Sequence, residues 1–461
     1  MLILELPASL TLKVAVVGWI QYLVIKAIYN VFFHPLKDYP GPRSMAASRL
    51  PITYARLAGH SVYLTLQLHQ KYGHVVRMGP NELSYSDSSS WKDIYASHPF
   101  RPGGMPPERS AAETFERKNT TRSLVNVRDK EHSRMRRAYG RALTKQALLQ
   151  QEPLILEHIL DLIRKLEEQE HYRINIEDLF TFLVADITIH FQLGSHLHIL
   201  DDTTRQPWVK NMIGMIRNST ILGILAEFPL FGAIFQLVLP LLMKQARNIH
   251  FGWMTKTLDD RFATESDRPD LVHLVVNHTG AESSVSEAEF RANAPIFFLA
   301  QTETTTTALS GLIALLLSEP FILSELQTEV RSNFQTISDI NMAVIERMKV
   351  LNACISEVLR VYPPGPSSVP HVVPQGGGTI SGRWVPGGTR VYNSMFATFR
   401  SSENFHDPEL FLPQRWYKET DEQFLANDKA SCRPFSMGPN ECPGRQEQAM
   451  VFQAKGMDVL E

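Results

Sequence analysis

The sequence contains few cysteines and no excess of charge of either sign. Only three cysteines, Cys354, Cys432 and Cys442, occur in 461 residues. Because their number is odd and no second pair stands at ligand spacing, they form neither a disulfide framework nor a zinc site. Lysine and arginine total 46 against 48 acidic residues, so no basic field favours binding of nucleic acid.

The sequence also lacks internal repeats, low-complexity linkers and a glycine-rich dinucleotide motif after a predicted strand. Residues 43–461 are therefore predicted to form one body. Without a nicotinamide-binding or flavin-binding domain, any electrons that this body uses must come from another protein.

A long apolar run, VAVVGWIQYLVIKAIYNVFF, occupies residues 14–33 near the N-terminus. Its length is that of a membrane-crossing helix, although Gln21 and Lys26 interrupt it. We favour a membrane span over an amphipathic surface helix, and over a cleavable signal peptide because no small-residue cleavage site follows. Residues 1–34 are thus the expected anchor and the proline-containing residues 35–42 the expected hinge.

The charges on either side of this run predict its orientation. Lys37, Arg43 and Arg49 follow it, whereas only Glu5 is charged ahead of Lys13. The positive-inside rule therefore places the main body in the cytosol.

The pattern of apolar residues predicts a mostly α protein with small β-sheets. Helical periodicity dominates from about 127 to 362, and short extended segments with glycine turns follow from 369 to 393. Residues 221–243 are apolar enough for a second span, but Glu227, Pro229 and Pro240 interrupt them. We interpret that segment as core helices or as a patch on the membrane surface.

The loop FSMGPNECPGR, residues 435–445, isolates Cys442 among glycines and prolines. A single cysteine in such a loop has three interpretations: a buried structural thiol, a nucleophile, or the axial thiolate ligand of a haem.

A long helix is predicted to begin at Ser286, because Ser286 and Glu289 match a capping box. Pro295 is expected to kink it. The middle of this helix carries an acid and several hydroxyls, Gln301-Thr302-Glu303-Thr304-Thr305. Either the threonines bond to the carbonyls of the preceding turn, or the stretch places the carboxylate of Glu303 and a threonine hydroxyl over a bound haem.

A charged network is predicted around Glu357. Arg360 lies three residues away on the same helix face, and Arg415 offers a second guanidinium. We expect this group to brace the cysteine loop structurally.

Four motifs in this order resemble the cytochrome P450 family: A-x-x-E-T-T, E-x-x-R, P-x-R-W and F-x-x-G-x-x-x-C-x-G. The spacing is similar to that of microsomal fungal members, and the resemblance covers essentially the whole chain. It implies a haem-thiolate monooxygenase that inserts one oxygen atom of O2 into an apolar small molecule. The segments GPNELS and VPGGTRV favour a role in the tailoring of secondary metabolites.

The resemblance implies roles for individual residues. Cys442 would be the axial thiolate of a haem b iron, with Gly438 allowing the tight turn and Gly444 the close approach of backbone. The further implied residues are the proton-delivery pair Glu303 and Thr304, Ala300 beside the oxygen pocket, His132, Arg136 and His371 toward the haem propionates, and Phe435 beside the sulfur.

The sequence departs from the family pattern in several places. Asn440 and His371 stand where charged residues are usual, and Gln301 stands where glycine is usual and is expected near the distal face. After Arg445 the sequence reads QEQAMVFQAKGMDVLE, where the family has a long helix and a further sheet. These departures motivate two alternatives, a truncated, haem-poor, non-catalytic membrane protein and a haem-thiolate isomerase or dehydratase.

The resemblance also implies a partner and a location. A membrane-bound, NADPH-dependent flavoprotein reductase would deliver the electrons at the endoplasmic reticulum membrane. The basic helix with Arg134, Arg136, Arg137 and Arg141 offers a solvated face for that acidic donor.

Overall fold

A computed structural model describes residues 8–96, 121, 123–169, 171–226, 244–264, 268–277, 284–336, 339–417 and 421–445. The chain divides into two compact units. The first comprises Met1–Glu108, Ser367–Ser401 and Ala430–Cys432, and the second comprises Arg109–Pro366, Ser402–Lys429 and Arg433–Glu461.

Most of the described chain is helical, with six short strands, which confirms the predicted fold class. The helices are α1 Ala8–Phe32, α2 Arg43–Ala47, α3 Leu50–Leu57, α4 Ser61–Tyr72, α5 Ser89–Tyr95, α6 Asp129–Ala142, α7 Lys145–Leu149, α8 Glu152–Glu168, α9 Ile176–Leu193, α10 Gln206–Ala226, α11 Lys244–Ala263, α12 Glu287–Ser318, α13 Pro320–Asn333, α14 Met342–Ile345, α15 Lys349–Val361, α16 Met395–Phe399 and α17 Gln414–Tyr417. The strands are β1 Val75–Gly79, β2 Glu82–Tyr85, β3 His371–Val372, β4 Gly378–Ile380, β5 Arg383–Val385 and β6 Arg390–Asn393. Short 3-10 turns follow at Glu422–Phe424, Lys429–Ser431 and Gly438–Asn440, and a π-helical turn lies at His273–Asn277.

The strands belong to the first unit and form two sheets. The larger sheet has the order β1-β2-β6-β3, in which β2 and β6 run parallel and the other pairs antiparallel. The smaller sheet is the β4–β5 hairpin. The glycine turns predicted the strands within 369–393, whereas the pairing of β6 with residues 82–85 is a nonlocal contact that they could not reveal.

Helix α1 is apolar and exposed. Its residues Lys13–Phe32 have a mean hydropathy of 1.5, and only 6% of that stretch is buried. The helix ends at Phe32, before the X-Pro steps that exclude further helix. One apolar helix near the N-terminus is consistent with the predicted membrane anchor. Most of the other apolar segment, 221–243, lies outside the described residues; its first residues complete α10.

The second unit is built around α9 and α12. Every residue from Leu179 to Leu193 is buried, because α9 is apolar on all sides and runs through the centre of the helical core. Helix α9 begins at the cap Asn175, whose side chain accepts from the next turn, and ends at Gly194 with φ of +66°.

Helix α12 begins with the predicted capping box, in which the side chains of Ser286 and Glu289 bond reciprocally to backbone. The helix continues through Pro295. Beside that proline, the buried amide of Gln192 donates to the carbonyl oxygen of Ala294 and accepts from the N–H of Phe298, each at 3.2 Å. These two groups bond to each other in a regular helix, so the Gln192 side chain contacts both members of one backbone pair beside the proline.

Candidate active site

Cys442 closes a tight loop. Its backbone N–H donates to the carbonyl oxygen of Phe435 over 2.9 Å, and the thiol is half-buried. Two residues of the loop adopt the left-handed conformation, Ser436 with φ of +63° and Gly438 with φ of +77°. A side chain at such a position costs about 1–2 kcal/mol, so Gly438 suits this turn and Ser436 is held there by the loop.

Phe435 anchors the start of the same loop. Its ring is partly buried and packs against the large hydrophobic core of the helical unit. Gly444 lies in the turn directly after Cys442 and is half-buried. The cysteine is thus flanked by a packed aromatic residue and a residue without a Cβ.

Arg136, on α6, is electrostatically coupled to this loop. Burial lowers the pKa of Arg136, while the neighbouring Cys442 and Glu441 favour its charged form. His132 lies one turn earlier on the same helix and is half-buried. A half-buried cation beside the cysteine is a suitable partner for an anionic group bound at this loop.

A strip of small side chains on α12 remains uncovered by the described residues. Ala300 is exposed and Thr304, four residues later on the same face, is half-buried, although Phe298, Thr302 and Thr305 between and beside them are buried. The hydroxyl of Thr304 donates to the carbonyl oxygen of Ala300 over 2.6 Å. Thr304 therefore makes the local bond that threonine commonly makes in a helix.

The other hydroxyls of this stretch are unsatisfied. The buried hydroxyls of Thr302, Thr305 and Thr306 have no hydrogen-bond partner within the described part of the chain. An unpaired buried hydroxyl costs about 1–3 kcal/mol. The expectation that the threonines of the stretch 301–305 bond to the preceding turn is therefore correct for Thr304 and wrong for Thr302 and Thr305.

Glu303 adds a carboxyl group to the same turn of α12. The side chain is half-buried, and this burial raises the pKa of Glu303 above its usual range. A carboxyl group with a raised pKa retains a proton more readily at neutral pH, which suits a proton donor.

The network around Glu357 forms as predicted. Arg360 bonds to both carboxylate oxygens at 2.7 and 3.0 Å, and the Nε of Arg415 donates to one of them over 3.0 Å. All three side chains are fully buried. Remaining guanidinium N–H groups donate to carbonyl oxygens of His406, Pro408 and Leu410.

Sequence reasoning missed two further donors to this carboxylate. The indole N–H of Trp416 donates over 2.8 Å and the backbone N–H of Leu412 over 2.9 Å. The tryptophan of the P-x-R-W motif was the available signal, because a buried indole N–H needs an acceptor.

His371 belongs to the first unit. It begins β3 and is buried, with Nδ1 3.0 Å from the carbonyl oxygen of Val369 and its ring edge-on to Tyr95 at 4.7 Å. Its proposed role toward a haem propionate stays a prediction.

One expectation about a neighbouring residue is wrong. Arg134 does not belong to a solvated basic face, because it pairs with Glu289 of α12 and with Glu131. Gln301 is buried, unlike Ala300, and its expected place near the distal face stays a prediction. Arg137 and Arg141 remain exposed.

A cysteine loop with a cation beside it is what a haem-thiolate protein needs. The uncovered strip of α12 offers a surface for the bound group. The sequence model of the cytochrome P450 family matches residues 52–447, so the chain belongs to that family. The prediction of a monooxygenase is confirmed at this level, because relatives over most of the chain are named monooxygenases.

Three relatives illustrate the similarity. The cytochrome P450 monooxygenase aneG of Aspergillus aculeatus is 39% identical over 92% of this chain and 80% of its own length. The cytochrome P450 monooxygenase efuB of Hormonema carpetanum is 36% identical over 94% of this chain and 87% of its own length. The cytochrome P450 monooxygenase rdc4 of Metacordyceps chlamydosporia is 34% identical over 94% and 90%, respectively.

The residues present fit the haem that this family implies. Cys442 offers the single thiolate that such a site needs, and Arg136 provides a half-buried cation beside it. The exposed Cβ of Ala300 leaves one face of α12 open to a flat ligand, and buried hydroxyls without partners lie on the same turns.

Proposed function

We propose that this protein is a haem-thiolate monooxygenase that inserts one oxygen atom into an apolar small molecule during the tailoring of secondary metabolites. The observation that carries the proposal is the half-buried Cys442 in a loop closed by its own N–H, with Arg136 electrostatically coupled to it. Fungal relatives named monooxygenases support the reaction class.

Cys442 would hold the iron through its thiolate, and Arg136 and His132 would hold the propionates. Thiolate-ligated haem supplies the activation of O2, because the ligand favours cleavage of the O–O bond. The ring of Phe435 and the core behind it would keep water from the sulfur.

Glu303 and Thr304 would carry protons on the open side of α12. Burial raises the pKa of Glu303 above its usual range, which favours exchange of a proton at its carboxyl oxygen. The hydroxyl of Thr304 would accept that proton and release its own, which requires breaking its bond to Ala300, a net change of about 1 kcal/mol. That difference is small enough for the hydroxyl to switch partners.

The apolar helix α1 would anchor the protein to the endoplasmic reticulum membrane with the main body in the cytosol. Electrons would come from NADPH through a flavoprotein reductase in the same membrane. Arg137 and Arg141 are exposed cations of α6 that could receive an acidic donor surface.

The deciding measurement is the carbon-monoxide difference spectrum of the reduced 461-residue chain, expressed in membranes with haem supplied. We expect a strongly red-shifted Soret band in the native protein and in Cys432→Ser. Cys442→Ser should lose the band, because a hydroxyl does not replace an ionised sulfur. An unchanged spectrum in Cys442→Ser would overturn the ligand assignment, and a native chain without the band would support the non-catalytic interpretation.

A further inference from the structure

A histidine cluster lies on the helical unit, and none of its members belongs to the motifs of the proposed haem site. A ring nitrogen of His158, a carboxylate oxygen of Asp161 and a ring nitrogen of His196 all lie within 4.8 Å of one another. His158 and Asp161 are three residues apart on α8, so they share one helix face. His196 follows the end of α9.

We propose that His158, Asp161 and His196 bind a divalent transition-metal cation of the zinc class. Two imidazoles and one carboxylate are a ligand set that Zn²⁺ commonly takes, with metal–ligand distances of about 2.0–2.2 Å. Ligand atoms of a tetrahedral site are then about 3.4 Å apart. The Nε2 of His196 lies 4.0 Å from Oδ2 of Asp161, which is too long for a hydrogen bond and within a small side-chain movement of that spacing.

The outer partners of these ligands are already in place. Arg164 contacts Oδ1 of Asp161 at 3.1 Å, which leaves Oδ2 directed toward His196. The Nε2 of His158 is 2.9 Å from Nδ1 of the buried His190 on α9. Metal ligands are typically oriented by such contacts, and their loss commonly weakens binding 10–100-fold.

Two further groups lie beside the cluster. His198 stacks on His196 with ring centroids 3.7 Å apart, and Glu157 lies 3.7 Å from the Nδ1 of His196. Asp161 and His196 are both partly exposed, so a cation can enter from solvent. Glu157 and Asp161 each place a carboxylate oxygen within 4.0 Å of a ring nitrogen of His196.

Arg268 is a cation that faces this cluster from outside α8. Its guanidinium donates to Nε2 of His190, which fixes the proton of His190 on Nδ1, facing His158. A metal on His158 favours the opposite direction of that hydrogen bond. Arg268 is exposed and able to move away, so it is expected to compete with the metal.

The test measures zinc bound per chain on the full-length protein in detergent, with any purification tag removed, after dialysis against micromolar Zn²⁺. We expect about one zinc per chain in the native protein. His196→Ala and Asp161→Asn, both at partly exposed positions, should weaken binding by at least roughly tenfold. His171→Ala removes an exposed histidine of the α8–α9 connection and should bind zinc like the native chain.

Circular dichroism of each variant identifies loss of fold, and zinc should raise the melting temperature of the native chain more than magnesium does. Arg268→Gln should bind zinc more tightly, because it removes the competing cation. Equal zinc uptake by the native chain, His196→Ala and Asp161→Asn, or no uptake at millimolar zinc, would overturn the proposal. Weaker zinc binding by Arg268→Gln would show that His158 is not a ligand.

Discussion

The network around Glu357 and the stretch of α12 from Ala300 to Thr306 lie in the same helical unit. They differ in whether their buried polar atoms have hydrogen-bond partners. Both oxygens of Glu357 accept several hydrogen bonds. In α12, by contrast, Thr302 and Thr305 have buried hydroxyls without partners in the described residues, and burial raises the pKa of Glu303.

This difference separates a structural group from a reactive one. A buried charge network with every atom paired is rigid and has no capacity left for a ligand. A polar stretch with unpaired hydroxyls and a carboxyl group of raised pKa is costly to maintain, and such cost is commonly found at functional sites. Glu357 is the more buried acid, yet Glu303 is the better candidate for chemistry.

The largest effect is expected from Glu357→Gln. The substitution leaves two buried guanidinium groups without an anion, which costs about 3–5 kcal/mol. That loss is a large part of the stability of an ordinary domain. Thermal unfolding followed by circular dichroism measures it, with Glu167→Gln at an exposed position of α8 as the control. A loss of unfolding free energy below about 1 kcal/mol would show that the network does not stabilise the fold.

Trp416→Phe should have the next largest effect. It removes one donor to the Glu357 carboxylate and keeps most of the packing. Hydrogen bonds to charged groups contribute about 1.5–3 kcal/mol. The matched control is Trp384→Phe, whose side chain is 59% exposed. Equal losses of unfolding free energy in the two variants would show that the indole N–H has no special role.

Thr304→Ala should lower stability by no more than about 1 kcal/mol, because it removes one local hydrogen bond. We expect its effect in the reaction instead: less product formed per NADPH consumed. The measurement compares both quantities, with reductase and an identified substrate, and includes Thr304→Ser, which keeps the hydroxyl. Unchanged coupling in Thr304→Ala would leave the hydroxyl with its local helix bond as its only role.

The smallest effect distinguishes paired from unpaired hydroxyls. Thr305→Val should leave stability unchanged or raise it by up to about 1 kcal/mol, because its hydroxyl has no described partner. Thr188→Val is the matched control: that hydroxyl is equally buried in α9 and donates to Val184 over 2.6 Å. Its loss should cost about 1 kcal/mol. Equal losses in the two variants would contradict the comparison.

The sequence predicted those features that depend on neighbours along the chain. The capping box at Ser286 and the i,i+3 pair of Glu357 and Arg360 follow from local geometry. Arg415 was predicted because its guanidinium can fork onto the same carboxylate. The turn at Gly438 was implied by the family resemblance.

Features that depend on distant segments were beyond local rules. Arg134 was assigned to a basic face, but Glu289 neutralises it from another helix. Ser436 adopts a left-handed conformation, but serine is not one of the residue types that favour it, so the sequence did not predict it. The residues of the His158 cluster are separated along the chain, and only the packing of α8 against α9 and the segment after it brings them together.

The two arginines that bind Glu357 lie before and after a segment, 367–401, that belongs to the first unit. The backbone leaves the helical unit at Pro366 and returns at Ser402, and the Glu357 carboxylate bonds to Leu412, 55 residues further on. Closing a loop of that length costs an unfolded chain about 3.5 kcal/mol plus a constant. Formation of this network therefore offsets part of the entropy of loop closure, because it holds together the chain before and after the segment 367–401.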